Sequence, residues 1–260
     1  MELKGRKILY AGCSRGVGFG VVQALVKAGA NVVGFSRNMS EEKIQQVKDA
    51  GEGTFTFMSC DVTNEDMVFE RVDEAAKLLG GIDVLVCCIM QYVTWSCEEI
   101  ATENFEFGLR VNFLGPVWLN QAALPYLKES QGSIINFGSG GGVTTKTVAT
   151  SPPMYSCAKA ALHIWTKDIA KEWGKAYNIS ANVICPMIFT EAHQDNSLAS
   201  TPQMLEYFES CKNNMWLTTE EGKPYGPEAI APLMVFMCSP GAKYITGQLI
   251  NCDGGMVESR

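Results

Sequence analysis

The chain has 260 residues, 47% hydrophobic and 19% charged, enough to bury one large core and ordinary for a globular protein. A formal net charge of −7 argues against a nucleic-acid or anionic-membrane surface. The apolar run ending at Gly12 is too short and wrongly flanked for a signal peptide, and no run approaches the ~18 residues of a membrane span.

Strand-like and helix-like segments alternate from the start. Residues 8–11 read as a buried strand, 17–27 as a helix and 31–35 as a second strand. Ser40 is placed to cap the next helix, with Glu41 and Glu42 in its first turn. Residues 54–59 are strand-like, and Asn64 caps another helix. The continuous apolar run 82–88 suits a strand buried on both faces. A long helix is expected over 104–128, a strand over 133–137, a helix over 155–177 and a strand over 179–185. Residues 227–238 read as a helix and 248–252 as the last strand. This rhythm predicts an α/β fold, a doubly wound parallel sheet in a single domain spanning 1–260. Two segments break it. Residues 138–153 are rich in Gly, Thr and Ser, and 190–226 read as a long irregular lid or pocket wall.

The 10 cysteines form no CxxC pair, and several end strand-like runs, so buried free thiols in a reducing cytoplasm are expected. His163 and His193 lack partners at ligand spacing and are expected on a helix surface or in a loop. No metal site is expected.

Tyr155 and Lys159 stand four residues apart on one face of a predicted helix. A free phenol, with a pKa of ~10, is a poor acid at neutral pH. A fixed ammonium beside it is expected to lower that pKa, which suits reduction of a carbonyl or oxidation of an alcohol.

Gly12, Gly16 and Gly18 follow the first strand and open the first helix. Glycines there allow a tight turn and let main-chain N–H groups approach a pyrophosphate. A carboxylate at the end of the second strand would mark NAD. The run here is Phe35-Ser36-Arg37, and Arg37, with Arg15 from the turn, is suited to a 2′-phosphate, which favours NADP. Asp61 is a candidate acceptor for the adenine amine. Pro116 lies in the predicted helix four residues after Asn112, and lacking an N–H it leaves the Asn112 carbonyl without its helical donor.

The chain resembles the single-domain short-chain dehydrogenases/reductases, which have a Rossmann-like fold. The likeness runs almost end to end. It covers the glycine turn, Cys60-Asp61-Val62, Asp83-Val84-Leu85-Val86, Val111-Asn112, Gly132 through Asn136 to Ser139, and Tyr155 with Lys159. It continues through Asn182-Val183-Ile184-Cys185-Pro186, Tyr244 to Gln248, and Asp253-Gly254-Gly255.

The resemblance implies a catalytic set of Asn112, Ser139, Tyr155 and Lys159. Tyr155 would pass the proton, and Lys159 would depress its pKa and hold the nicotinamide ribose. Ser139 would bind the substrate oxygen, and the Asn112 carbonyl would hold a water of a proton relay. The cofactor contacts implied are Gly12, Ser14, Arg15, Gly16, Val17 and Gly18 in the turn, with Ser36 and Arg37 after the second strand. Asp61, Val62 and Cys88 follow, then Tyr155, Lys159, Pro186, Ile188 and Thr190. A homo-oligomer, tetramer or dimer, is implied as well.

The chain departs from the family pattern at Ala11, where a threonine is usual, and at Cys87-Cys88-Ile89-Met90, where small residues are usual. Pro186-Met187 replaces Pro-Gly, Thr190 comes early, and the loop from Ser139 to Tyr155 is long. The expected pocket wall carries Met90, Tyr92, Trp95, Met154, Met187 and Phe189. The lid adds Met204, Tyr207, Phe208, Met215 and Trp216, and this apolar surface suits a bulky ketone or alcohol of steroid, terpenoid or alicyclic type. A 3-oxoacyl-thioester reductase ranks lower, since no Lys/Arg cluster marks a carrier-docking surface. An enoyl-reducing variant stays open, as does a nucleotide-sensing scaffold without turnover, against which the intact set of four argues.

Overall fold

In a computed structural model, residues 2–92, 97–98, 100–143, 153–190, 202–222 and 225–257 are described. Seven parallel strands are joined into one sheet in the order β3-β2-β1-β4-β5-β6-β7. They are β1 (Lys7–Ala11), β2 (Asn31–Ser36), β3 (Thr54–Ser59), β4 (Val84–Cys87), β5 (Ser133–Phe137), β6 (Ser180–Pro186) and β7 (Leu249–Cys252). Strand order reverses between β1 and β4, which pair directly from Ile8 with Val84 to Ala11 with Cys87. Such a switch point opens a crevice at the C-terminal ends of the strands.

Alternation along each strand divides the core in two. Ile8 and Tyr10 of β1, with Val84 and Val86 of β4, face one way, against Val21 and Leu25 of α1 (Gly16–Lys27) and Met234 of α8 (Pro227–Met237). Leu9, Ala11, Leu85 and Cys87 face the other way. There they meet Val68 and Val72 of α3 (Glu65–Leu79), Leu119 of α5 (Gly115–Ser130) and Ile169 of α6 (Pro153–Tyr177). The doubly wound α/β fold is therefore as expected. Both predicted caps form. Ser40 accepts from the Lys43 N–H at the start of α2 (Glu41–Lys48), and Asn64 accepts from the Met67 N–H at the start of α3.

The long helix expected over 104–128 forms, running without a break from Thr102 to Ser130 as α4 (Thr102–Leu109), a π turn (Arg110–Leu114) and α5, with the Gly115 N–H donating five residues back to Arg110. Pro116, which lacks an N–H, follows this π turn closely within the continuous helix. The segment 190–226 is not irregular throughout, because it contains α7 (Pro202–Asn214).

A small third cluster sits apart from both main cores. Phe189, Cys211 of α7, Met256 and Val257 are its buried members, with Tyr92, Met187 and Met215 packed against it. Among the described residues no helix is long and apolar enough to cross a membrane.

Candidate active site

The residues named above as cofactor contacts all line one cleft, of about 350 Å³, at the strand switch point. Its floor is the turn from β1 into α1. Gly12 has φ +95°, and a Cβ there would stand 1.9 Å from the Cys88 carbonyl oxygen. A Cβ on Gly18 would stand 1.8 Å from the Gly12 carbonyl oxygen. Only glycine lets these three backbone segments meet. The hydroxyl missing at Ala11 is not needed to hold the turn, since the Gly12 N–H donates to the Phe35 carbonyl at 2.7 Å and the Cys88 N–H donates to that of Ala11 at 2.8 Å. Arg15 occupies the N-cap of α1 without a side-chain cap bond, so the helix presents its first-turn N–H groups and partial positive charge to an anion. This cradle of close backbone and a helix N-terminus fits a dinucleotide pyrophosphate.

Arg15 and Arg37 are exposed on the rim. Lys43 lies close behind, its ammonium donating to the Ser14 carbonyl at 3.2 Å and standing over the Phe19 ring. Asp61 is partly engaged within its own turn, accepting from the Thr63 N–H and hydroxyl at 3.0 and 2.8 Å.

At the opposite end, α6 places Tyr155 and Lys159 on its buried face, 5% and 1% exposed. The Lys159 ammonium donates to the carbonyls of Ile89 at 2.8 Å and Phe137 at 2.7 Å, beyond the ends of β4 and at the end of β5. An ammonium has three N–H groups, so one is left for a ligand. Burial pulls Lys159 down to about 8, against which Cys88, Cys185 and Cys87 act weakly.

The expected lowering of Tyr155 by Lys159 is corrected by this packing. Burial, followed by the neighbouring Tyr92 ring, holds the phenol well above its usual value. The ammonium stands 5.6 Å from the ring centroid, committed to its two carbonyls. The opposing influence is the nearby Ser139 side chain, which acts to lower the phenol. Ser139 Oγ accepts from the Gly141 N–H at 3.2 Å, which leaves its own proton free to be donated.

Asn112 is fully buried and works through its side chain. Its Oδ1 accepts from the Gln91 N–H at 2.9 Å, and its Nδ2 donates to the carbonyls of Gln91 at 2.8 Å and Gly108 at 2.9 Å. It therefore clamps the segment after β4, which carries the Ile89 carbonyl that holds Lys159. Asn112 is 0% and Ser139 8% exposed.

Tyr92 meets Tyr155 edge to face, ring centroids 4.8 Å apart. Met90, Tyr92 and Met187 line the cleft as expected, while Phe107 and Val111 line it unannounced by any motif. Three pocket expectations need correction. Met154 is fully buried against α4, where a Cβ on Gly108 would stand 2.0 Å from its sulfur. Phe189 belongs to the third cluster rather than the cleft wall, and Trp216 is 70% exposed, with Gly255 beneath its ring. Trp95, His193 and the side chains of Met204, Tyr207 and Phe208 lie outside the described residues.

His163, expected on a surface or in a loop, is 5% exposed, because it continues the Tyr155–Lys159 face one turn further. Cys97 and Cys157 are exposed, contrary to a uniformly buried set of thiols.

Known proteins share this architecture. A family profile described as enoyl-(acyl carrier protein) reductase matches residues 11–257. A 12alpha-hydroxysteroid dehydrogenase from Clostridium sp. is 32% identical over 263 residues, covering 96% of this chain and 95% of that protein. The solved structure of Cj0485 dehydrogenase superposes with a TM-score of 0.87 at 27% identity, covering 99% of this chain and 96% of the other. That of the Pseudomonas aeruginosa RhlG/NADP active-site complex gives 0.84 at 26% identity, covering 98% and 97%. The chain belongs to the short-chain dehydrogenase/reductase family of oxidoreductases.

Proposed function

We propose that this protein is an NADP(H)-dependent enzyme that interconverts a ketone and a secondary alcohol on a bulky, uncharged, hydrophobic substrate. The observation that carries this reading is the buried Tyr155 phenol, lining the cleft and sharing its helix face with Lys159. When bound, the nicotinamide supplies the hydride in reduction and accepts it in oxidation. Tyr155 Oη gives its proton to the substrate oxygen in reduction and takes it back in oxidation. A phenol held above its usual pKa stays protonated at neutral pH, loaded for the reductive direction. Ser139 donates its free hydroxyl proton to the same oxygen and stabilises its developing charge. The remaining Lys159 N–H holds the ribose. Arg15 and Arg37 take the 2′-phosphate, which a cleft rim without a carboxylate after β2 leaves open to them.

The substrate class follows from the walls. Among the described residues, the charged ones lining the cleft are Arg15, Arg37 and Asp61, all in the turn after β1 or beyond β2 and β3, and Lys159, which is already bonded. Near Tyr155 the walls are Met90, Tyr92, Phe107 and Met187, broad and adaptable. The likeness to a hydroxysteroid dehydrogenase agrees with this.

The test is NADPH oxidation, followed by absorbance, over steroid, terpenoid and alicyclic ketones. Tyr155→Phe is expected to cut turnover by about 10³-fold while NADPH binding persists. Turnover like the parent's would end this account of Tyr155. The description of the matching family profile favours a second reading, enoyl reduction. Oxidation of NADPH by enoyl thioesters and not by ketones would select it.

A further inference from the structure

We infer that His163 is a positioning residue, whose imidazole fixes the turn that carries the Ser139 hydroxyl. The inference rests on the roles given above to Ser139 and Tyr155. It begins with a main-chain group that the sheet leaves over. The Gly138 N–H donates to the Ile184 carbonyl, which continues the pairing of β5 with β6. The next N–H, that of Ser139, is buried just past the strand end, and a buried donor requires an acceptor. His163 Nε2 provides it at 3.3 Å. An accepting Nε2 places the ring proton on Nδ1 and makes the imidazole neutral.

The surroundings enforce that state and that place. Burial lowers His163 to about 4, and the Lys159 and Lys167 ammonium groups push in the same direction. Cys185 at the end of β6 closes the third side, its Sγ 3.7 Å from Nε2. The ring fills space that two glycines leave open on either side of Ser139. A Cβ on Gly138 would stand 2.3 Å from Nε2, and one on Gly142 would stand 2.9 Å from Cε1. The turn is thus gripped by one ring, and Ser139, extended at φ −159°, enters the Gly140–Gly142 helical turn with its hydroxyl accepting from the Gly141 N–H. Tyr155, Lys159 and His163 recur every four residues on α6, so a single helix carries the proton donor, its cation and the brace for its hydroxyl partner.

Four variants test the inference in the full-length enzyme, with a ketone that the parent reduces. Ser139→Ala is expected to lower kcat by about 10²-fold, as loss of an oxyanion donor does. His163→Leu is expected to lower kcat by about 10-fold through misplacement of that donor, with the NADPH dissociation constant unchanged. His163→Gln, whose side-chain oxygen stands near the position of Nε2, is expected to recover to within about threefold of the parent. In the Ser139→Ala background, His163→Leu is expected to add nothing beyond about twofold, because the group it aims is gone. Should His163→Leu not fold, His163→Phe keeps a ring without the acceptor and makes the same comparison with His163→Gln. Effects of the two positions that multiply, or a Gln variant no better than the apolar one, would overturn the inference. If Ser139→Ala alone leaves kcat intact, the role given to Ser139 falls first, and that outcome is distinct from a failure at His163.

Discussion

At the Arg15–Arg37 end of the cleft the charged groups are exposed and reach from loop tips, whereas at the Tyr155 end they are buried and held from behind. The first arrangement selects a ligand by charge in water, where each contact is modest and screened by salt. The second keeps donors fixed in a dry setting, where a small displacement matters more and pKa values move. One end is thus suited to choosing a cofactor and the other to chemistry, and the glycine turn joins them.

Breaking the junction should have the largest effect. Gly12→Ala drives a methyl into the Cys88 carbonyl and is expected to weaken NADPH binding more than about 100-fold, by titration, with a lowered melting temperature. Arg37→Asp touches the exposed end alone. It is expected to weaken NADPH relative to NADH by about 10- to 100-fold, shrinking as salt rises, while kcat at saturation stays near the parent's. Equal loss for both cofactors would remove Arg37 from the phosphate site. The third prediction probes the buried end by pH. Lys159 is held down at about 8, so its charge is present below that pH and is lost as pH rises through it. The kcat/KM for NADPH, which reports the free enzyme, is expected to fall by about 10-fold between pH 7 and 9. A flat profile across that range would show that the ammonium is not used in binding.

The exposed end of the cleft was the more legible in the sequence, because its signals are local. A glycine turn between a strand and a helix, and an arginine where a carboxylate would mark NAD, need no tertiary knowledge. The spacing of Tyr155 and Lys159 was equally local, but their surroundings were not. The direction of the Tyr155 shift depends on Tyr92 and on burial, which exist only once β4, α6 and the lid have met. His163 was readable as a third residue on the same face, yet its isolation from other ligand-type residues drew it to the surface. Its partner is a main-chain N–H, which leaves no mark in side-chain spacing. The π turn at Arg110–Leu114 escaped for a similar reason, since its Asn112 is held by a segment 21 residues away.

The small cluster of Phe189, Cys211, Met256 and Val257 shares no buried member with either large core. Its cohesion therefore comes from contacts separate from those that hold the sheet. So small an apolar seam is expected to open at a lower free-energy cost than either large core. It ties the segment after β7, through Met256 and Val257, to Cys211 of α7 and to Phe189 after β6.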